Sequence, residues 1–343
     1  DDRRGLIFEP HGGYPGEAED TVIEGLTISN GYFDNGTDGA GIYINSASPV
    51  FNNCVITGSR VYHYTNEAHS AGGGVYANNS NAAFNNCVIS NNTVESRVNH
   101  SSHDSYSYGG GIYIIGSSNV TLTGCTITNN TSYTYDYDSN GNSVGYMRGA
   151  GIYSAVSGTT SIIDSEISHN NFSTEGHQHD RRGGGIYIDG GEINAANITV
   201  AYNDYQGLYR DDGTFNITSG LIWANDNNDS GSINYTYTNR QGNPPGGEGN
   251  ISKDPWFVNS SDLQLLPGSV CINRGDPNES DEDGTRRDMG RYIYEDTHQG
   301  PAWYVSSEGN QLEGDGSQSN PLSSILAAIN LANEGDEIIV SPG

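Results

Sequence analysis

Apolar positions in this chain recur in two short patterns that alternate along most of its length. The first is a glycine-rich step into an Ile-Tyr pair: Gly39-Ala-Gly-Ile-Tyr43, Gly72-Gly-Gly-Val-Tyr76, Gly109-Gly-Gly-Ile-Tyr113, Gly149-Ala-Gly-Ile-Tyr153 and Gly183-Gly-Gly-Ile-Tyr187, with a degenerate copy at Gly207-Leu-Tyr209. The second is Gly25-Leu-Thr-Ile28, Asn53-Cys-Val-Ile56, Asn86-Cys-Val-Ile89, Gly124-Cys-Thr-Ile127 and Asp164-Ser-Glu-Ile167, continued by Asn197-Ile-Thr-Val200 and Gly220-Leu-Ile222. Within each copy apolar and polar residues alternate, the period of a strand with one face inward. The glycines ahead of each Ile-Tyr mark a bend where backbones come close.

One strand of each kind per repeat describes a chain that coils and stacks on itself. Equivalent residues then lie about 4.8 Å apart in columns. Ile28, Ile56, Ile89, Ile127, Ile167, Val200 and Ile222 form one inward column, and Leu26, Cys54, Cys87, Cys125, Ser165 and Ile198 another. Three of the four cysteines thereby read as small apolar core residues. A disulfide between stacked neighbours is geometrically conceivable, and no His or other base stands at a fixed offset to make a catalytic thiol.

The intervals along the isoleucine column are 28, 33, 38, 40, 33 and 22 residues. The shortest is a bare coil. The extra length of the others falls in one place, so 57–71, 90–108, 128–148 and 168–182 are expected as loops projecting from one flank, where solenoids carry their working surface. They hold Tyr62, Tyr64, Tyr106, Tyr108, Tyr135, Tyr137, His177 and His179 among Asn, Ser and Asp. Aromatic and amide side chains suit a sugar, whose apolar face stacks on a ring. They equally suit a protein interface, or loops that pack on one another. All three readings stay open.

Past the repeats, Asn320 and Pro321 offer a helix start, and Leu322, Ile325, Leu326 and Ile329 one apolar stripe. A helix over 321–333 ending at Gly335 and a strand over 337–340 are predicted. The division expected is a β-helix over 1–275, an acidic closing segment over 276–300, and a cap over 301–343.

Composition then narrows the function. Only 33% of the 343 residues are hydrophobic, yet 23 are Tyr. A thin-cored repeat protein accommodates this, a compact globule does not. The net charge is −28 and Lys253 is the only lysine, which excludes nucleic acid and anionic membrane as partners. No run of 18 apolar residues exists to span a membrane. Such acidity keeps an exposed extracellular protein soluble or holds calcium. Asp136, Asp138 and Asn140 have the spacing of half an EF-type loop, without its distal Glu. Asp276, Asn278, Asp281, Asp283 and Asp288 are a second candidate calcium set, and for both the plain alternative is an Asx-rich turn.

The repeats resemble the pectate-lyase-like superfamily of right-handed β-helices, over residues 5 to 275, and in particular secreted bacterial right-handed parallel β-helix repeat proteins. Ser269-Val-Cys-Ile-Asn-Arg-Gly-Asp-Pro277 with Asp283-Gly-Thr-Arg-Arg-Asp-Met-Gly-Arg-Tyr292 is similar to the choice-of-anchor-type module that closes such proteins, which implies export and surface attachment. Trp303-Tyr-Val-Ser306, Asn320 to Asn330 and Gly335 to Gly343 look like the segment that opens a β-helix in this family. Here that segment follows the repeats, while Leu6-Ile-Phe8 begins as a bare coil. The chain is then a piece of a tandem array, or its cap covers the first coil of the next molecule and builds a filament. Leu6, Phe8, Leu322, Ile325, Leu326, Ile329, Ile338 and Val340 are the expected contact residues.

Enzymes on this fold need clustered Asp, a Gly-His-Gly turn and Arg-x-Lys for hydrolysis, and none is present. For lyase chemistry only Arg148, Arg181 and Arg182 offer a base, and a solvated ion pair with Asp180 is the competing explanation. The expectation is an all-β chain: a right-handed parallel β-helix solenoid with a short C-terminal amphipathic helix and strand. It is extracellular or on the cell surface, structural or adhesive, and pairs with copies of itself or with glycans. The rival is a calcium-dependent polysaccharide lyase or another carbohydrate-active enzyme.

Overall fold

The computed structural model describes residues 3–10, 21–34, 38–99, 103–136, 143–176 and 178–341. The chain divides into two compact units, one of residues 1–216 with 224–234, the other of 217–223 with 235–343.

The first unit is a parallel β-helix. Ile42–Asn45, Val50–Asn52 and Val55–Thr57 are three strands of one coil, and each pairs in parallel with its counterparts one coil on. The register runs Ile28 to Ile56 to Ile89 to Ile127 to Ile167 to Val200, the column read from the repeat. The second column is equally buried from Cys54 through Cys87, Cys125 and Ser165 to Ile198. All four cysteines are unbridged and buried. The thiols donate to the backbone of the coil before, Cys87 to Phe51 O at 3.4 Å and Cys125 to Phe84 O at 3.2 Å, and burial pushes Cys54 up and Cys271 up to about 12. Phe51 and Phe84 stack at 4.8 Å to fill the third face.

The described residues of the inserted segments form stacked strands rather than free loops. Arg60–Thr65, Thr93–Val98, Thr131–Tyr135 and Asn171–Glu175 stack into one further parallel sheet, begun by Tyr32–Asp34. Ala68–Ala71, Ser105–Tyr108, Gly145–Arg148 and His179–Arg182 stack into another. The reason is the backbone: an insertion repeated in successive coils can satisfy its N–H and C=O groups only on the copy above and below. These sheets enclose a thin interior of small hydroxyl side chains. Ser70, Ser96 and Ser107 donate to the carbonyls of Glu95, Tyr106 and Tyr133 at 3.0, 2.5 and 2.6 Å. An interior of serine is how so polar a sequence closes a core.

An asparagine column, missed in the sequence, runs beside the isoleucines. Asn92, Asn130, Asn170 and Asn203 each donate through Nδ2 to Oδ1 of the next, at 2.9–3.0 Å, ending on Asn225. Each also donates to a strand carbonyl, such as Asn130 to Ile89 O at 2.8 Å. The residue before each has a positive φ, between 54° and 57°, at Asn91, Asn129, His169, Tyr202 and Ala224. The signal was legible: an Asn three positions after each column residue from Ile89 onward.

The second unit holds an antiparallel hairpin, Phe257–Asn259 with Asp262–Leu265, and a core of Leu221, Leu265, Cys271, Ile272 and Met289. Its last part is strand–helix–strand: Ala302–Val305 and Glu337–Val340 pair in parallel across helix α1, Ile325–Leu331. The helix is shorter than predicted. Leu322 is held by strand-like bonds to Tyr304 and Ser306 at 2.9 and 3.0 Å, so Asn320 and Pro321 are not its start. Ser324 is the N-cap, its side chain accepting from Leu326 N at 3.2 Å. The predicted stripe also splits. Leu322, Ala327 and Ala328 are buried with Trp303 and Val305, while Ile325, Leu326 and Ile329 are 50–55% exposed.

Candidate functional site

Three surfaces carry the residues singled out in the sequence. On the flank, the tyrosines of the Ile-Tyr strands point away from the core and stack into a continuous column: Tyr43, Tyr76, Tyr113, Tyr153, Tyr187 and Tyr209, with ring centres 4.8–5.6 Å apart. Tyr108 lies against Tyr153 at 5.1 Å. Beside it His69, Tyr106 and Tyr146 stack at 4.2 and 5.1 Å. Tyr62 and Tyr64 stand in register with Glu95 and Arg97, which are followed by Tyr133 and Tyr135. Glu95 accepts from both Arg60 and Arg97, and Arg97 lies over Tyr133 and Tyr135 at 4.9 and 5.5 Å. His179 Nδ1 is 4.0 Å from Asp136 Oδ2. Tyr137, Asp138, Asn140 and His177 lie outside the described residues.

This stacking changes what the flank can do. Rings in a column cover each other's faces and present edges and hydroxyls. Tyr153 and Tyr187 donate to Asp189 and Asp211 at 3.3 and 2.8 Å, and burial raises both phenols, so they stay donors. A sugar that binds by lying on a ring face finds those faces occupied.

The arginines are tied down. Arg148 is buried and donates to Asp180 Oδ2 at 2.7 Å and Asp180 O at 2.6 Å. Arg182 donates to the same carboxylate at 2.9 and 3.0 Å. Burial lowers the Arg182 pKa, but its bond to Asp180 and that charge outweigh burial, and the net shift is upward. A base needs the opposite. Arg181 lies over Tyr205 at 5.1 Å.

In the acidic segment, carboxylates bind backbone rather than one another. Asp288 accepts from the N–H of Asn273 and of Tyr294, both at 2.7 Å. Asp281 accepts from Asp288 N at 3.0 Å and pairs with Arg287 at 3.1 Å. Asp283 accepts from Thr285 and from Asp296 N. Burial alone would raise Asp283, but the Thr285 and Asp296 bonds hold it below the usual range. Asp276 accepts from Asn278 at 2.9 Å. Calcium takes six to eight oxygens, and several of these carboxylate oxygens also accept N–H or O–H bonds. Among the described residues, no three His, Cys, Asp or Glu gather as a metal site.

The third surface is apolar and split between two places. In the first coil, Leu6–Phe8, Val22–Glu24, Thr27–Ser29 and Tyr32–Asp34 each pair with a following strand, and Arg3 bridges Tyr32 by two backbone hydrogen bonds at 2.8 and 3.1 Å. Phe8, expected as a contact residue, is buried edge-on against Phe51 at 5.7 Å, and Leu6 is half-buried. Ile7, Val22 and Leu26 are the ones left 48–54% exposed. In the C-terminal segment, Ile325, Leu326, Ile329, Ile339 and Val340 are exposed, with Ile338 half-buried, and among the described residues Glu337–Val340 pairs with Ala302–Val305 alone.

Taken together, these features define a parallel β-helix whose first coil carries exposed apolar residues, and a strand–helix–strand segment in the second unit. No protein-family model, no curated protein and no solved structure matches the chain.

Proposed function

We propose that this chain is an extracellular structural β-helix that stacks end to end, the cap of one β-helix covering the first coil of the next. The observation that carries this reading is the pair of exposed apolar surfaces. A half-exposed Leu or Ile on its own is ordinary. Three on one face of a seven-residue helix, beside a strand with an open edge, form a patch that water disfavours. The first coil offers a counterpart: parallel strands that, apart from the Arg3–Tyr32 bridge, have no partner before them among the described residues, with exposed Ile7, Val22 and Leu26. Both surfaces are built of parallel strands, so Glu337–Val340 can add to the first coil without reversing direction. The contact is heterologous, so it propagates. The resemblance to exported proteins with a closing anchor module, and the charge of −28, support an extracellular or surface setting.

The test is sedimentation velocity of the 343-residue chain against Ile325→Glu/Ile329→Glu. Both positions are exposed, so the fold should hold. The expectation is concentration-dependent growth that the double substitution abolishes at unchanged melting temperature. A chain that stays monomeric at high concentration would count against the reading, as would a double variant that assembles like the parent.

A further inference from the structure

Tyr43, Tyr76, Tyr113, Tyr153, Tyr187 and Tyr209 form an unbroken stack, with neighbouring ring centres 4.8–5.6 Å apart and ring planes 4–21° from parallel. That is the contact distance of paired aromatic rings, kept over six residues. The two end rings, Tyr43 and Tyr209, are half-buried, whereas Tyr76, Tyr153 and Tyr187 are closed in at 6, 7 and 3% exposure. The first unit holds no tryptophan, so these phenols are its most readily oxidised aromatic groups.

Two of the buried rings carry their own proton acceptor. Tyr187 donates to Asp211 Oδ2 at 2.8 Å and Tyr153 to Asp189 Oδ2 at 3.3 Å. A buried ring that lost an electron alone would be a cation in a low-dielectric site, which is costly. With a carboxylate in hydrogen-bond reach the proton leaves with the electron, and the ring becomes a neutral radical. Burial raises both phenols, so the protonated ring is the species that is oxidised. Asp211 is exposed and can exchange the proton with water. No small molecule has to reach the buried rings, because the electron passes through the half-buried ends.

We propose that the tyrosine column is a proton-coupled relay for one-electron oxidation, taking oxidising equivalents from oxyl- or peroxyl-type radicals and holding them as neutral tyrosyl radicals. Tyr187 gives one electron to the oxidant through Tyr209, its O–H bond breaks, and the proton forms a new O–H bond on Asp211. The oxidant is reduced by one electron. Tyr153 then passes an electron to the Tyr187 radical, which recovers its proton from Asp211, while the Tyr153 proton moves to Asp189. Each transfer moves one electron and one proton. The relay does not depend on end-to-end stacking.

The experiment uses the intact chain with Ser230→Cys, a position in register with Tyr209 on the following strand, labelled with a ruthenium polypyridyl photo-oxidant. The four native thiols are buried and do not compete for the label. After flash oxidation, radicals are read by electron paramagnetic resonance and by nitroso spin-trap labelling with peptide mapping. The result expected is a neutral tyrosyl signal, with trap labels on Tyr113 and Tyr43 as well as Tyr209. Tyr153→Phe/Tyr187→Phe keeps the rings but removes both O–H groups. It should abolish the labels on Tyr113 and Tyr43, leave the label on Tyr209, and leave the melting temperature unchanged. Asp211→Asn keeps every ring and should delay the radical's appearance. The proposal is overturned if labels in the parent stay on Tyr209 and the side chains around the ruthenium, if Tyr43 is labelled equally in the double Phe variant, or if Asp211→Asn leaves the rate unchanged.

Discussion

At the residue scale, the first unit depends on a few buried amides. Asn170 accepts from the backbone N–H and Nδ2 of Asn130, and donates to Ile127 O and Asn203 Oδ1, all within 3.0 Å. Asn170→Ala leaves both neighbours short of a partner in a fully buried interior. It should cost about 3 kcal/mol, read as a lower urea midpoint in far-ultraviolet circular dichroism. A loss under about 1 kcal/mol would mean the column is filler. The second unit instead depends on acids, and its stability should fall with rising pH. An unfolded aspartate loses its proton near pH 4, whereas burial pushes Asp296 up to about 6 and Asp288 up to about 8. Between pH 4 and pH 8 the unfolded chain therefore binds fewer protons, and stability drains as pH rises. Trp223, Trp256 and Trp303 are the only tryptophans and all lie in this unit, so their fluorescence reports it alone. The urea midpoint should decline across that window, and Asp288→Asn should flatten the decline. A midpoint that climbs with pH would contradict the assignment.

Individual elements explain what the sequence could and could not reveal. The two inward columns were legible because each strand shows its own two-residue period and the period repeats. The inserted strands were not, because most of their inward positions are Ser, Thr and Ala, which read as loop; Val61, Val94, Val98, Met147 and Phe172 are the larger apolar residues on that inner face. The exposed helix stripe was legible as apolar but not as uncovered, because hydrophobicity does not say what lies opposite. Alanine, with its small side chain, proved to be the buried face. Likewise the spacing of Asp276 to Asp288 was readable, but whether carboxylates face each other or backbone N–H groups is decided by loop path. The glycine bends are a sharper matter. Gly109 has φ of 62°, and a Cβ there would run into the carbonyl of Ile112 and come within 2.9 Å of Tyr113 Cα. Gly109→Ala should therefore destabilise the first unit by about 2 kcal/mol or more, left-handed strain and collision together. A neutral outcome in the same urea experiment would show that the bend can open.

For the molecule as a whole, the organising fact is that open edges are satisfied by stacking. Each strand of the β-helix donates to the next coil, each inserted strand does the same, and even the tyrosines continue ring on ring. The first coil and the cap are where that logic is left incomplete among the described residues, and they are also where apolar side chains are exposed. End-to-end stacking extends the same bonding pattern from coil to coil into molecule to molecule. Negative-stain electron microscopy of the purified chain over rising concentration tests this most directly. The account predicts unbranched filaments of one β-helix width that lengthen with concentration and vanish in Ile325→Glu/Ile329→Glu. Discrete single particles at every concentration, unchanged by that substitution, would contradict it.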